Sequence, residues 1–390
     1  MRTLSEVLSE FRQISENPKA QLAHYLSQGK KAVGCMPYFC PEELVHAAGM
    51  VPFGLWGAET PVSEAKRYLP AFICSIIQTT LELGLRGEYK GLSAVMIPIL
   101  CDSLKGMEGN WRYGVKDIPV IHVAHAQNRK IPAGAEFTAS QYRKIKTSLE
   151  DIAGNSVSDA DIASSNAVYN KRNSTVRRFI EELAARPGVI KPSERSAVFK
   201  TSYFMDAAEY TAKVEELCDI LAAAPNTNST GPRLVTCGII ADNTGLLKIL
   251  DECGVCVIDD VVTHESLRFR FDTPESGEAT EKSGESAGTA GDPIMALALQ
   301  IGTIEGCSVL YDLGKKRAEM LVNTALQSNA DGVLLVMTKF CDPEEYDIVP
   351  LRRILEKNGI RCIQVEVDQQ TTSLEQVKIA IETFCEILAN

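Results

Sequence analysis

The sequence predicts an α/β protein made of two doubly wound parallel-sheet lobes joined by a helical segment. Short apolar runs rich in Val and Ile alternate with helix-period stretches towards both ends of the chain, and strands that alternate with helices pair in parallel. Between these regions, from about Thr138 to Ala224, the periodicity is helical almost throughout. At 390 residues and 45% hydrophobic content the chain is long enough for two or three domains with sizeable cores.

The elements follow in order. Leu4 to Tyr25 has helical spacing of apolar side chains, and Lys30 to Cys35 reads as a short buried strand that opens the first lobe. Pro41-Glu42-Glu43-Leu44 starts a helix with proline in its first turn. Val51 to Leu55 reads as a strand, Ile73 to Leu85 as a helix, and Ala94 to Leu100 and Pro119 to Val123 as further strands. The helical segment shows clean apolar faces at Val176 to Ile180 and Tyr210 to Leu221. Strands then return at Arg233 to Cys237, Val255 to Ile258, Gly332 to Met337 and Arg361 to Val367, with helices between them and at Ser373 to Leu388. The expected organisation is an N-terminal helix plus first lobe over 1–137, a helical connector over 138–230 and a second lobe over 231–390. Residues 273–292 have no large apolar side chain and are rich in Gly, Ser, Thr and Glu, as expected of a mobile surface loop; a binding lid is the alternative.

Composition excludes several classes. A formal net charge of −11 argues against nucleic-acid and anionic-membrane partners. No apolar run resembles a signal peptide or reaches the roughly eighteen residues that a span needs, so a cytoplasmic protein is expected. Twelve cysteines in a reducing compartment are not a disulfide framework, which leaves metal, catalysis or burial to explain them.

Three of the twelve stand out. Cys101 and Cys341 close hydrophobic strands in look-alike contexts, Met96-Ile97-Pro98-Ile99-Leu100-Cys101-Asp102 and Val336-Met337-Thr338-Lys339-Phe340-Cys341-Asp342. In open parallel sheets the ligand crevice lies beyond the carboxyl ends of the strands, where both fall. Cys74 sits at the first turn of its helix, where free amides and the helix dipole favour a thiolate and an anionic cluster. Thiolates gathered from strand ends over long separations suit an iron-sulfur cluster in the cleft between the lobes better than a short-spaced zinc finger. Three buried thiols is the plain alternative.

The other candidates carry weaker signals. Cys35 and Cys40 form a C-x4-C pair without a C-x2-C continuation; Cys40, before Pro41 at a helix start, is expected to have a lowered pKa or to be a supporting or core thiol. Cys253 and Cys256 are a lone C-x2-C read as structural, and Cys218, Cys237, Cys307, Cys362 and Cys385 read as core. His122 and His125 end a strand, either to assist proton transfer or to bond backbone groups. Asp259, Asp260, His264, Glu265 and Arg268 follow a strand and are expected to line an interface. No G-x-G-x-x-G or Walker loop is present, so neither a dinucleotide nor ATP is bound in the usual way.

Gly34-Cys35-Met36-Pro37-Tyr38-Phe39-Cys40-Pro41-Glu42-Glu43-Leu44, followed by Ala47-Ala48-Gly49-Met50-Val51-Pro52, resembles the opening signature of the 2-hydroxyacyl-CoA dehydratase and benzoyl-CoA reductase family. Pro70 to Ser75, Leu100 to Leu104 and Lys339 to Tyr346 are similar to its three cluster-binding segments, and Val365 to Thr371 to a following strand and turn. Among paired subunits the chain looks more like the β subunit of an (R)-2-hydroxyacyl-CoA dehydratase than the α subunit. The resemblance implies a hydro-lyase heterodimer in which each subunit holds one 4Fe-4S cluster by three cysteines, which carry over to Cys74, Cys101 and Cys341. It also implies a separate iron-sulfur ATPase activator, an acyl-CoA substrate bound mainly by the α subunit, and a ketyl radical route from (R)-2-hydroxyacyl-CoA to (E)-2-enoyl-CoA and water. The cluster of this chain would relay or store the activating electron, and no catalytic acid or base is identified in the chain. The alternatives are a subunit of an ATP-dependent benzoyl-CoA reductase and a non-catalytic iron-sulfur electron-transfer partner.

Overall fold

The computed structural model describes residues 2–225, 231–274, 291–370 and 373–389. The chain opens with α1 (Leu4–Glu16) and α2 (Pro18–Ser27), two helices where one was expected. Pro18 has no N–H to continue the helix and holds Asn17 out of the helical region, at φ −125°, ψ 56°. The first sheet contains β1 (Ala32–Cys35), β2 (Val51–Gly54), β3 (Ala94–Pro98) and β4 (Val120–Val123), with α3 (Glu42–Ala47), α4 (Ser75–Leu85) and α5 (Asp102–Gly114) as crossovers. All pairs are parallel in the order β2-β1-β3-β4, with Val33 beside Ala94 and Val95 beside Val120. Every residue of β1, β2 and β3 is buried, as continuous apolar runs in a parallel sheet should be.

Four helices follow: α6 (Pro132–Ala153), α7 (Asp159–Ala185), α8 (Pro192–Thr201) and α9 (Ala207–Ala223). Ser158 and Asp161 form a capping box at the start of the long α7, satisfying two of its free amide groups. A separate core joins α1 to α7, α8 and α9 through Val7, Phe11, Phe179, Phe199, Tyr210 and Val214.

The second lobe runs β5 (Arg233–Gly238), α10 (Thr244–Glu252), β6 (Cys256–Val262), α11 (Pro293–Thr303), α12 (Lys316–Gln327), β7 (Gly332–Thr338), α13 (Asp342–Lys357), β8 (Cys362–Val367) and α14 (Glu375–Ala389). Its sheet repeats the first, parallel in the order β6-β5-β7-β8. β6 extends past the expected Ile258 because Asp260, which reads as a strand stop, is buried against Arg195 inside the protein. Of the loop expected at 273–292, residues 275–290 lie outside the described residues; Thr273 just before them is buried, its N–H donating to Asn170 at 2.8 Å.

In both sheets the chain reverses direction of travel at one inner pair, β1/β3 and β5/β7, and the crevice beyond such a pair is where open α/β sheets bind ligands. The lobes are tied together around these crevices. Trp56 Nε1 donates to Asp242 at 2.5 Å, and Arg268 reaches Glu42 at 2.8 Å. Arg129, almost fully buried, donates to the main-chain oxygens of Ile301 at 3.0 Å, Ile304 at 2.5 Å and Tyr311.

Candidate metal centre

β3 and β7 hold the same place in their sheets, and each passes its chain directly to a cysteine that begins the next helix. Cys101 is the N-cap of α5 and Cys341 the N-cap of α13. Before Cys341 the backbone turns through Phe340 at φ 59°, a left-handed conformation that costs a non-glycine residue about 1–2 kcal/mol and is tolerated where the surrounding structure imposes it. Cys74 is likewise the N-cap of α4. Three cysteines from two lobes thus each stand at the positive end of a helix.

Cys74 is buried, while Cys101 and Cys341 are partly exposed. None makes a full capping bond. First-turn amides nonetheless face the sulfurs: Ile77 and Ile76 at Cys74, Leu104 and Ser103 at Cys101, Glu344 at Cys341. Burial dominates as long as the thiols carry protons, pushing Cys74 up to about 12, Cys101 up, and Cys341 well up. The sulfurs also repel one another, since the Cys341 thiol is raised further by Cys74 and Cys101, and that of Cys74 by Cys101. A coordinated cation reverses this balance by deprotonating the thiol outright.

Among the described residues no three His, Cys, Asp or Glu side chains are gathered as a single metal ion would need. A tetranuclear cluster makes a different demand, because each cysteine ligates a separate iron and the sulfurs stand further apart than around one ion. An all-thiol donor set backed by amide N–H groups fits that demand, and Cys74, Cys101 and Cys341 are the residues that could hold such a group.

The surroundings hold these helices in place. Arg317, 4% exposed, pairs with Glu344 at 2.6 Å and Asp347 at 3.4 Å, clamping the first turns of α13, and donates to Cys237 Sγ at 3.5 Å. Beyond β8, the Gln369 N–H donates to Ser75 Oγ at 3.0 Å and Gln370 Nε2 to Gln78 Oε1 at 3.2 Å, binding the second lobe to the helix that Cys74 caps. A cavity of about 570 Å3 opens on the Cys101 side, against Cys307, Ser308, Arg317 and Asp342. Another, of about 440 Å3, lies between Pro70, Ile73 and Ser75 and the Lys339-Phe340 turn.

Other candidates behave differently. Of the two readings of Cys40, the structure favours the supporting or core thiol over the lowered pKa: burial raises its thiol well above the ordinary value, Glu42 adds to the rise, and Sγ donates to Met96 O at 3.6 Å. Asp259, Asp260, His264, Glu265 and Arg268, the candidates for lining an interface, make contacts between segments of this chain, one of them between the lobes. Arg195 bridges Asp260 and Glu265, Arg268 meets Glu42, and Arg270 holds Asp259 at 2.8 Å. His125 is buried against Tyr142 Oη at 3.0 Å, with its pKa lowered by burial to about 4, whereas His122 pairs with Glu108 at 2.6 Å on the surface. Cys218, Cys237, Cys256 and Cys307 are buried; Cys253, Cys362 and Cys385 are partly so, and the Cys253 thiol meets that of Cys385 on α14. Arg317 and Gln369 escaped the sequence reading, although Gln369 stands in the Val365 to Thr371 segment.

Comparison with known proteins adds the decisive match. Residues 37–388 fit the family described as 2-hydroxyglutaryl-CoA dehydratase, D-component. The chain belongs to this family. Within it, the chain is 42% identical over 389 residues to the (R)-phenyllactyl-CoA dehydratase beta subunit of Clostridium sporogenes, the alignment covering both chains completely. It is 37% identical over 390 residues to the beta subunit of lactoyl-CoA dehydratase of Anaerotignum propionicum, covering all of both chains. Similarity to a benzoyl-CoA reductase subunit of Thauera aromatica is 22% over 370 residues, 92% of this chain and 90% of that one. Among the described residues no helix is long and apolar enough to cross a membrane.

Proposed function

We propose that this chain is the β subunit of a 2-hydroxyacyl-CoA dehydratase, a hydro-lyase that removes water from an (R)-2-hydroxyacyl-CoA to give the (E)-2-enoyl-CoA, and that Cys74, Cys101 and Cys341 hold its 4Fe-4S cluster. One observation carries the reading: three thiols from both lobes, each at a helix N-terminus and each within electrostatic reach of the others. The relatives named as dehydratase beta subunits at 37–42% identity favour this over a benzoyl-CoA reductase, whose subunit is 22% identical.

The reaction explains the need for a redox group. Elimination requires loss of the hydrogen on carbon 3, which a thioester carbonyl does not acidify; a ketyl radical anion, one electron richer, can expel the 2-hydroxyl and makes that hydrogen acidic. When bound, the cluster supplies a low-potential store for one electron, its potential set by burial and hydrogen bonds. This chain's residues provide the setting. The three helix N-termini offer amide groups and positive dipole ends to an anionic centre. Burial of Cys74 and of Tyr38 near it excludes bulk water. Arg317, through Glu344 and Asp347, keeps Cys341 in register. A related α subunit that binds the acyl-CoA and an iron-sulfur ATPase that delivers the electron complete the system.

Anaerobically purified protein should contain about four irons and matching sulfide per chain. Dehydration should appear only when the chain is combined with its α partner, the ATPase and ATP. Zinc without sulfide would refute the cofactor, turnover by the isolated chain would refute the subunit assignment, and net reduction of the acyl group would point to the reductase.

A further inference from the structure

The reading of Cys74, Cys101 and Cys341 as cluster ligands leaves the buried Tyr38 beside them without a role, and the following rests on that reading. Tyr38 lies just beyond β1, at the crevice of the first sheet, and is 4% exposed. Its N–H donates to Met36 O at 2.7 Å while the Met36 N–H donates to Met96 O at 3.1 Å, so the turn is fastened to the strand that leads to Cys101. The ring packs edge-on against His264 with centroids 4.8 Å apart, and His264 packs against Trp56 at 5.0 Å. Trp56 is itself pinned by Asp242. The ring therefore has little freedom to move.

The phenol lies within electrostatic reach of Cys74, Cys341, Cys101 and also Cys307. Among the described residues its hydroxyl makes no hydrogen bond to a protein atom, whereas tyrosine hydroxyls in buried residues ordinarily find a partner. A rigid donor without an acceptor, facing a set of sulfurs, has one evident use.

We propose that Tyr38 is a positioning residue for the iron-sulfur centre, its hydroxyl donating a hydrogen bond to the sulfur shell held by Cys74, Cys101 and Cys341. Reduction adds negative charge to that shell, and a hydrogen bond to a charged acceptor is stronger than one to a neutral acceptor. The bond thus favours the reduced state and raises the midpoint potential.

The test is an EPR-monitored redox titration of the full iron-loaded chain and its Tyr38→Phe variant. Phenylalanine keeps the ring and its contact with His264, so iron and sulfide should stay at the wild-type level while the midpoint moves to a more negative potential. The wild-type sequence produced with ring-fluorinated tyrosine, a stronger donor, should move the opposite way, and the fluorinated Tyr38→Phe variant should not. If Tyr38→Phe does not fold or load, fluorotyrosine placed at position 38 alone decides the matter. Wild-type iron with an unchanged midpoint in Tyr38→Phe, or no response to fluorination, would overturn the role of Tyr38 and leave the cluster standing. Wild-type protein without iron and sulfide would remove the cluster reading itself, and this inference with it.

Discussion

His264 should make the protein acid-sensitive by a predictable amount. It is 1% exposed, neither ring nitrogen has a hydrogen-bond partner, and burial lowers its pKa from 6.5 to about 3; Asp242 opposes the shift and Arg268 adds to it. An unfolded chain takes up a proton at this residue below pH 6.5, whereas the folded chain refuses it until about pH 3. The stability associated with neutral His264 is therefore complete above 6.5 and is lost as pH falls towards the folded value. Between pH 7 and pH 5 the loss amounts to about 1.9 kcal/mol, and it levels off near 5 kcal/mol around pH 3. His264→Phe isolates this contribution, because phenylalanine fills the space between Tyr38 and Trp56 and forfeits no side-chain hydrogen bond. Urea unfolding of wild type and variant, side by side in the same cluster state, should show the wild type losing about 2 kcal/mol relative to the variant on going from pH 7 to pH 5. Parallel pH profiles would mean that His264 exchanges protons freely in the folded state, and the argument from burial would fail.

Cys341→Ser should lose iron and abolish ATP-dependent dehydration while Cys256→Ser keeps both, as read by iron analysis and product formation; the opposite pattern would move the cluster to other residues. Arg317→Met should destabilise the chain by about 3–5 kcal/mol by leaving Glu344 buried without a counter-charge while Asp347 keeps Lys315, and adding Glu344→Gln should restore part of the loss in denaturant titrations. Ser158→Ala should cost about 1 kcal/mol through loss of the capping box on α7, with no change in iron content.

Much of the architecture is legible in the sequence because β1, β2, β3 and β7 are buried along their whole length and read as nearly unbroken apolar runs. The strand ends at Cys101 and Cys341 are legible for the same reason: each run stops where the crevice begins. What sequence does not reveal is pairing at a distance. Asp260 looks like the end of a strand, and only Arg195, 65 residues earlier, makes it an internal residue. Cys40 precedes a helix, which suggests an activated thiol, yet the helix is short and packed closely enough for desolvation to outweigh its dipole. Tyr38 stands inside a motif that is visible in the sequence, but its significance depends on sulfurs brought in from positions 74, 101 and 341.

The packing of α1 sets the order in which this protein can be made. Val7, Leu8 and Phe11 are covered by α8 and α9, Thr201 Oγ1 donates to Phe11 O at 2.9 Å, and Lys213 pairs with Glu10. On a ribosome moving at about 5–20 residues per second, the roughly 200 residues up to those partners take on the order of 10–40 s to appear. Throughout that interval the first helix carries a bare apolar stripe, the kind of surface that chaperones bind. α1 thus leaves the ribosome well before the helices that bury it, and a nascent chain halted before α9 presents that stripe to whatever is nearby.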